Sequence, residues 1–229
     1  YFNSNILNID KIVWKIKHIE IFSENLKNER LLKFKTKSDQ LFSILRNHQL
    51  FEILEKKLLM SKYFKKKVLK TNLNLKKNYD IVINTDYNSL FTKKYFNKKI
   101  IKKYNSHAFT TIIKHEKISN DIATQIFTKL GPLAFLPISK NETSIVYSIN
   151  RSLTKKQDLI NLIHKYNFKY IIKEIGNVDS FELKSFVLRS YYNKNILAFG
   201  DLLHRIHPLA GQGFNMTIRD IKVLSQIIK

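Results

Sequence analysis

The sequence predicts a mixed α/β fold, α+β in its middle block, and three observations carry that prediction. Two short apolar runs, Tyr79–Asn84 and Asn195–Asp201, each end in a polar turn, as buried parallel strands do. A block over about 96–191 alternates polar and apolar residues with the period of antiparallel strands. Helical spacing governs three further stretches, near 41–60, 156–167 and 213–228.

Taken in order, Ile16, Ile19 and Ile21 suit a strand over 17–25, and Leu31, Leu32 and Phe34 a second, joined by a hairpin through Asn25–Asn28. Leu41, Ile44, Leu45, Leu50, Ile53, Leu54 and Leu58 recur at helical spacing and predict one amphipathic helix from Leu41 to Met60, capped by Ser38 or Asp39. Residues 61–78 are rich in Lys and Asn and read as a loop holding at most one short strand. Strands follow over 107–118 and 122–139, interrupted at Gly131-Pro132, then over 143–149 and 180–191. Leu159, Ile160, Leu162 and Ile163 predict the helix at 156–167, where Asp158 offsets the helix dipole near its start. No internal repeat is visible.

The chain has 229 residues, 41 Lys+Arg against 18 Asp+Glu, and no cysteine. That excludes disulfides, thiolate metal sites and a cysteine nucleophile. No apolar run approaches the roughly 18 residues that span a bilayer as a helix. The formal charge of +23 invites a nucleic-acid reading, but lysines dominate and are spread over the whole chain. Arg, the residue for bidentate contact with bases and phosphates, is scarce. Together with the abundance of Asn, Ile and Phe, this is a drift of the whole composition and a solvated surface. An anionic membrane surface is the next reading, since each basic residue near such a leaflet contributes on the order of 1 kcal/mol. Tyr1 is not an initiator, and the last helical pattern stops on Ile227-Ile228-Lys229 without a cap, so the sequence is expected to be a piece of a longer protein.

Chemistry concentrates at 200–213, which holds three of the five glycines. A strand delivers the chain to Gly200, so Asp201 stands at its carboxyl end, where open α/β sheets bind ligands. Pro208, Gly211 and Gly213 keep the backbone bare and sharply turned. The following helix aims its free N–H groups and its dipole at electron-rich ligand atoms. A carboxylate for sugar hydroxyls beside such a helix start is a sensible cofactor pocket. His204 and His207 lack a third ligand and do not read as a metal pair.

The segment Gly200-Asp201-x-x-His204-x-x-His207-Pro208-x-x-Gly211-Gln212-Gly213-x-Asn215, followed by Arg219-Asp220, resembles the second FAD motif of the flavin aromatic hydroxylases, and more narrowly the ubiquinone-biosynthesis hydroxylase family. Ala123–Phe127, Gly131–Pro137 and Ser144–Tyr147 are similar to that family's substrate-domain strands, in the same order. Asp80–Asp86 stands where the family has a strand ending in Gly-Ala-Asp-Gly, and Phe42–Asn47 before a helix resembles its helix entry.

The resemblance implies a partial FAD-binding Rossmann-like domain (38–95 and 192–229) with an antiparallel substrate domain (1–37 and 96–191). It implies FAD contacts from Gly200, Asp201, Pro208, Gly211, Gln212, Gly213, Asn215 and Asp86, with Asp201 on the ribityl chain. Gly131, Pro132 and Leu133 are implied near the flavin and substrate ring. The implied reaction is ring hydroxylation of a polyprenylated phenolic quinone precursor by O2, with NAD(P)H as reductant, needing neither a side-chain nucleophile nor a metal. The implied setting is the cytoplasm, peripheral at the bacterial inner membrane or its mitochondrial equivalent, with other quinone-biosynthesis proteins as partners and no nucleic acid.

Three departures qualify this. The family's first motif, Gly-x-Gly-x-x-Gly, is absent from these residues, and it is expected before Tyr1. Asn84 and Tyr87 replace both glycines of the middle motif, and a Tyr at φ > 0 would be strained. The basic residue that follows that motif is not evident. The alternatives are therefore a family member that has lost flavin and serves as a scaffold, and a basic nucleic-acid module. Glu20, Glu24 and Lys27 read as surface groups, and Phe127, Phe135 and Tyr147 as core.

Overall fold

The computed structural model describes residues 1–24, 29–37, 40–68, 79–149, 156–205 and 212–228, without the side chains of Lys156 and His204. In chain order the described elements are α1 (Phe2–Asn5), β1 (Val13–Ile16), β2 (His18–Ser23), β3 (Arg30–Lys35), β4 (Phe42–Leu45), α2 (Asn47–Leu59) and β5 (Val82–Asn84). Then come α3 (Leu90–Tyr95), β6 (Lys99–His115), β7 (Ile122–Thr128), β8 (Gly131–Pro137), β9 (Glu142–Ile149) and α4 (Lys156–Tyr166). The last are β10 (Ile172–Ile175), β11 (Asp179–Leu188), β12 (Tyr192–Asn193), β13 (Ile196–Ala198), a 3-10 turn (Gly200–Leu202), β14 (His204–Arg205) and α5 (Gln212–Ile227).

They group into two compact units. Unit 1 comprises Tyr1–Phe64 and Asn105–Glu182, and unit 2 comprises Lys65–Tyr104 and Leu183–Lys229.

Unit 1 is built on a sheet with the order β6-β9-β8-β7-β2-β3, and β10 pairs with β6. All of these pairs are antiparallel except β2 with β7, which run parallel. Burial alternates along β9 and along β8 from Pro132 onward, so one face holds the core. That face gathers Phe22, Phe109, Ile126, Leu133, Phe135, Ile145 and Tyr147, and α4 closes it with Leu159 and Ile163 one turn apart. At the edge of this core a polar knot is fully bonded. The Asn120 side-chain amide donates to the Ser139 carbonyl and the Thr143 hydroxyl, and its oxygen accepts from the Tyr170 hydroxyl and the Lys169 ammonium. His115 bonds Thr143 and lies 4.4 Å from the Tyr170 ring centre. Every polar partner is supplied within the fold, as buried polar groups require.

The helix expected from Leu41 to Met60 is two elements. Phe42–Leu45 pairs antiparallel with β1, residue Ile44 opposite Trp14, and only Asn47–Leu59 is helical. Arg46 takes an extended backbone at the junction and its guanidinium is ion-paired with Glu142, which ends the strand before the helix starts. Positions 41, 44 and 45 fit a helix and a strand equally, and the ladder with β1 decides. The expected caps Ser38 and Asp39, the hairpin at Asn25–Asn28 and the loop at 69–78 lie outside the described residues. The β2–β3 pair that the hairpin would join is present.

Unit 2 contains a three-stranded sheet, β12-β13-β5. β13 runs parallel to β5, with Ala198 opposite Asn84, and antiparallel to β12. Lys194 supplies the positive φ (54°) in the tight turn before β13. β14 pairs with the end of β11. A small core joins Phe91 and Phe96 to Leu188, Ile196, Ala198 and Leu202. β5 was expected to be buried on both sides, yet Ile81 and Ile83 are exposed. Among the described residues nothing covers that side of the strand.

Candidate flavin site

Parallel pairing brings the carboxyl ends of β5 and β13 to one edge, and the Phe199 N–H donates to the Asn84 carbonyl at 3.0 Å. Immediately beyond, Gly200 takes φ +63°, and the 3-10 turn buries Gly200 and Leu202 while Asp201 is exposed. α5 packs against this turn. A Cβ placed on Gly200 would be 3.9 Å from the Thr217 methyl, an ordinary contact.

At the start of α5, Gln212 and Asn215 are exposed and Gly213 is half-buried. A Cβ at Gly213 would meet nothing within 4 Å, so a flat ring has room to approach its backbone. The first N–H groups of α5 have no intrahelical acceptor. Exposed Asp201, an open glycine and a helix start thus occur in one unit, and this set fits the ribityl and ring half of a flavin. Pro208, Gly211 and His207 lie outside the described residues.

The end of β5 differs from the glycine pattern in an ordered way. Asn84 is buried, donates to the Thr92 hydroxyl at 2.8 Å and accepts from Ser89 at 3.0 Å. Ser89 also caps α3 by accepting the Thr92 N–H. The Thr92 hydroxyl in turn donates to the Asp86 carbonyl at 2.6 Å. Asp86 is exposed, and one carboxylate oxygen accepts the Asn88 N–H at 2.8 Å.

Tyr87 is not strained, contrary to expectation. Among the described non-glycine residues only Asn105 and Lys194 have positive φ. The turn is held by side chains instead of glycine backbones, so Tyr87 keeps an ordinary conformation. Its ring packs on Phe186 at 5.6 Å and carries the Lys99 ammonium 3.7 Å above its centre. The Asn84–Ser89–Thr92 knot and α3 were not legible in a polar run that reads simply as a turn.

In unit 1, Gly131 and Pro132 open β8 after a two-residue turn. Gly131 has φ +148°, and a Cβ there would lie 2.0 Å from the Ser148 carbonyl oxygen, so only glycine fits. Leu133, expected with them at the substrate, is fully buried in the core, opposite Ile126 and Tyr147. Strand alternation turns it away from the side that Pro132 presents.

Glu24, read as a surface group, is bonded on all sides. Hydrogen bonds from the Tyr166 hydroxyl, the Lys129 N–H and the Lys165 ammonium hold its carboxyl down at about 2. Its nearest protein partner in sequence other than a neighbour is 105 residues away, so no local pattern could have revealed it.

Residues 142–229 match the FAD binding domain family. Among curated relatives, the ubiquinone hydroxylase UbiL of Rhodospirillum rubrum is 26% identical over 137 residues, covering 54% of this chain and 30% of the relative. The 3-demethoxyubiquinol 3-hydroxylase of Escherichia coli is 29% identical over 123 residues, covering 51% of this chain and 32% of the relative. The chain thus spans about a third of the length of these relatives. Among solved structures, p-nitrophenol 4-monooxygenase PnpA from Pseudomonas putida superposes with a TM-score of 0.68 at 10% identity, over 95% of this chain and 64% of that one. The flavin-dependent brominase Bmp2 does so with 0.66 at 12% identity, over 91% and 60%. These likenesses establish the flavin-monooxygenase fold. By sequence, the chain is similar to FAD-dependent hydroxylases of ubiquinone biosynthesis over about half its length, and by fold it is similar to flavin-dependent monooxygenases.

Proposed function

We propose that the protein is an FAD-dependent monooxygenase that hydroxylates the aromatic ring of a polyprenylated quinone precursor in ubiquinone synthesis, with NAD(P)H and O2 as co-substrates. The observation that carries this is the edge of unit 2 where exposed Asp201 follows β13 and α5 lies on the same turn. The ionised Asp201 accepts the hydroxyls of the ribityl chain. The first N–H groups of α5, at Gln212 and Gly213, donate to the electron-rich edge of the ring, and the helix dipole favours charge there. Gly200, Pro208, Gly211 and Asn215 complete the proposed contact set, and Asp86 adds its remaining carboxylate oxygen. Bound FAD supplies the oxygen chemistry, and the protein orients the ring and excludes water. Gly131 and Pro132 stand against the substrate ring, with Leu133 behind them in the core.

A peripheral encounter with an anionic membrane belongs to the same reading, because the substrate's tail is apolar. Support comes from the end of α2 and the residues after it, where Leu59, Met60 and Tyr63 are exposed beside Lys56 and Lys62. No helix among the described residues is long and apolar enough to cross a membrane. Other quinone-biosynthesis proteins are the proposed partners.

Titration of the full-length protein with FAD, followed by fluorescence quenching and visible absorbance, tests the proposal. Saturable uptake is expected, weakened about tenfold in Asp201→Ala, the effect of one lost charge-assisted hydrogen bond. Absence of uptake would favour the flavin-less scaffold.

A further inference from the structure

We propose that Glu24 is a positioning residue, a carboxylate that clamps the turn between β7 and β8 and so fixes where Gly131 and Pro132 stand. The functional half of this rests on the proposed function, in which those two residues meet the substrate ring.

The clamp is a convergence of three distant segments. Glu24 directly follows β2. One carboxylate oxygen accepts the Lys129 backbone N–H at 2.8 Å, in the turn itself. The other accepts from the Lys165 ammonium at 3.2 Å, and the Tyr166 hydroxyl donates as well, both from the last turn of α4. Lys165 also bonds the Tyr166 oxygen at 3.1 Å, which ties the two donors together.

From inside, Thr128 completes the turn. Its hydroxyl donates to the Gly131 carbonyl at 2.8 Å and bonds the buried Tyr147 hydroxyl at 2.9 Å. The N–H groups of Leu130 and Gly131 both point to the same oxygen at 3.3 Å. The N–H groups of Lys129, Leu130 and Gly131 are therefore all engaged, and among the described residues only Glu24 does this from outside the hairpin.

The turn has little freedom to settle elsewhere. Gly131 already passes so near the Ser148 carbonyl that no side chain fits. Phe127 and Leu130 are exposed on either side of the turn, so it offers an apolar rim beside Pro132. An acidic residue that stays ionised at every physiological pH makes this a permanent clamp rather than a switch. The titratable groups facing it are Lys165 and Tyr166 of α4 and Tyr147 of β9.

Amide hydrogen exchange on the protein, with and without added FAD, tests the clamp directly. Glu24→Gln should speed exchange at Lys129 and Gly131 about tenfold and leave α5 unchanged. Glu24→Asp, which keeps the charge, should recover part of the protection. Unchanged exchange at Lys129 in Glu24→Gln overturns the clamp. Should that variant fail to fold, Tyr166→Phe removes one of the three donors and carries the same readout with a smaller effect. Affinity for 2-prenylphenol, read from perturbation of the flavin absorbance, tests the functional half. It should fall about fivefold in Glu24→Gln while FAD affinity holds. Loosened exchange with unaltered phenol affinity overturns the link to substrate. If the wild-type protein takes up no FAD, the proposed function falls, and the exchange result still decides the clamp.

Discussion

Unit 1 and unit 2 solve the burial problem differently. Fourteen buried residues form one continuous core in unit 1, backed by a polar knot in which each member is bonded. Unit 2 gathers six, and leaves Ile81, Ile83, Tyr87 and Leu90 exposed around its short sheet. The motif that resembles the second FAD motif lies in the thinner unit. The difference teaches that packing and the proposed ligand chemistry are divided along this chain. Unit 1 has the larger core of its own, whereas in the proposed function unit 2 is the part that a bound cofactor would stabilise by mass action.

The two positive-φ glycines offer the sharpest way to break that contrast. Gly131→Ala in unit 1 drives a methyl into the Ser148 carbonyl at 2.0 Å from a backbone that L-residues rarely adopt. Something in the sheet must move, and a loss of more than about 3 kcal/mol is expected, with unfolding of unit 1 by circular dichroism. Gly200→Ala in unit 2 meets only an ordinary contact at 3.9 Å from Thr217, so only the left-handed backbone is penalised, by about 1 kcal/mol. Equal losses would show that crowding at β8 is not what distinguishes the two.

Alkaline pH separates the units next. Burial pushes the Tyr170 phenol up to about 12, only partly offset by its hydrogen bond with Thr143, and burial also raises Tyr147. Between pH 10 and 12 the unfolded chain loses these protons while the folded one keeps them. Stability therefore falls as pH rises through that window, by about 2 kcal/mol for Tyr170. Among the described residues of unit 2 no tyrosine is buried. Chemical denaturation across this range should expose unit 1 first, and Tyr170→Phe should flatten the profile.

What the sequence disclosed follows the range of each interaction. The strands at 82–84 and 196–198 were legible because an apolar run before a polar turn is a local signal. The break at Arg46 was not, since Phe42–Leu45 satisfies both periods and its ladder with β1 lies almost thirty residues upstream. β10 escaped notice because only four residues, two of them charged, pair with β6. Glu24 shows the same limit at a site. Its partners come from three segments, and a lone glutamate after a strand looks like any surface group. The candidate flavin residues are legible from motif order, and the fold adds the exposure of Asp86 and Asp201, the burial of Gly200 and the open space at Gly213.

The smallest effect tests whether unit 2 has truly replaced glycine by side chains. If the Asn84–Ser89–Thr92 knot sets the turn after β5, Tyr87 carries no backbone strain for a glycine to relieve. Tyr87→Gly should then destabilise unit 2 rather than stabilise it. It removes the stack on Phe186 and the Lys99 ammonium above the ring, and adds backbone freedom to the unfolded chain, together about 1 kcal/mol. FAD uptake should be unaltered within about twofold, since the aromatic ring is packed on the protein and not in the turn's hydrogen bonds. A gain in stability or a clear rise in FAD affinity would instead mark Tyr87 as an obstruction, and unit 2 as the descendant of a flavin site that this residue closed.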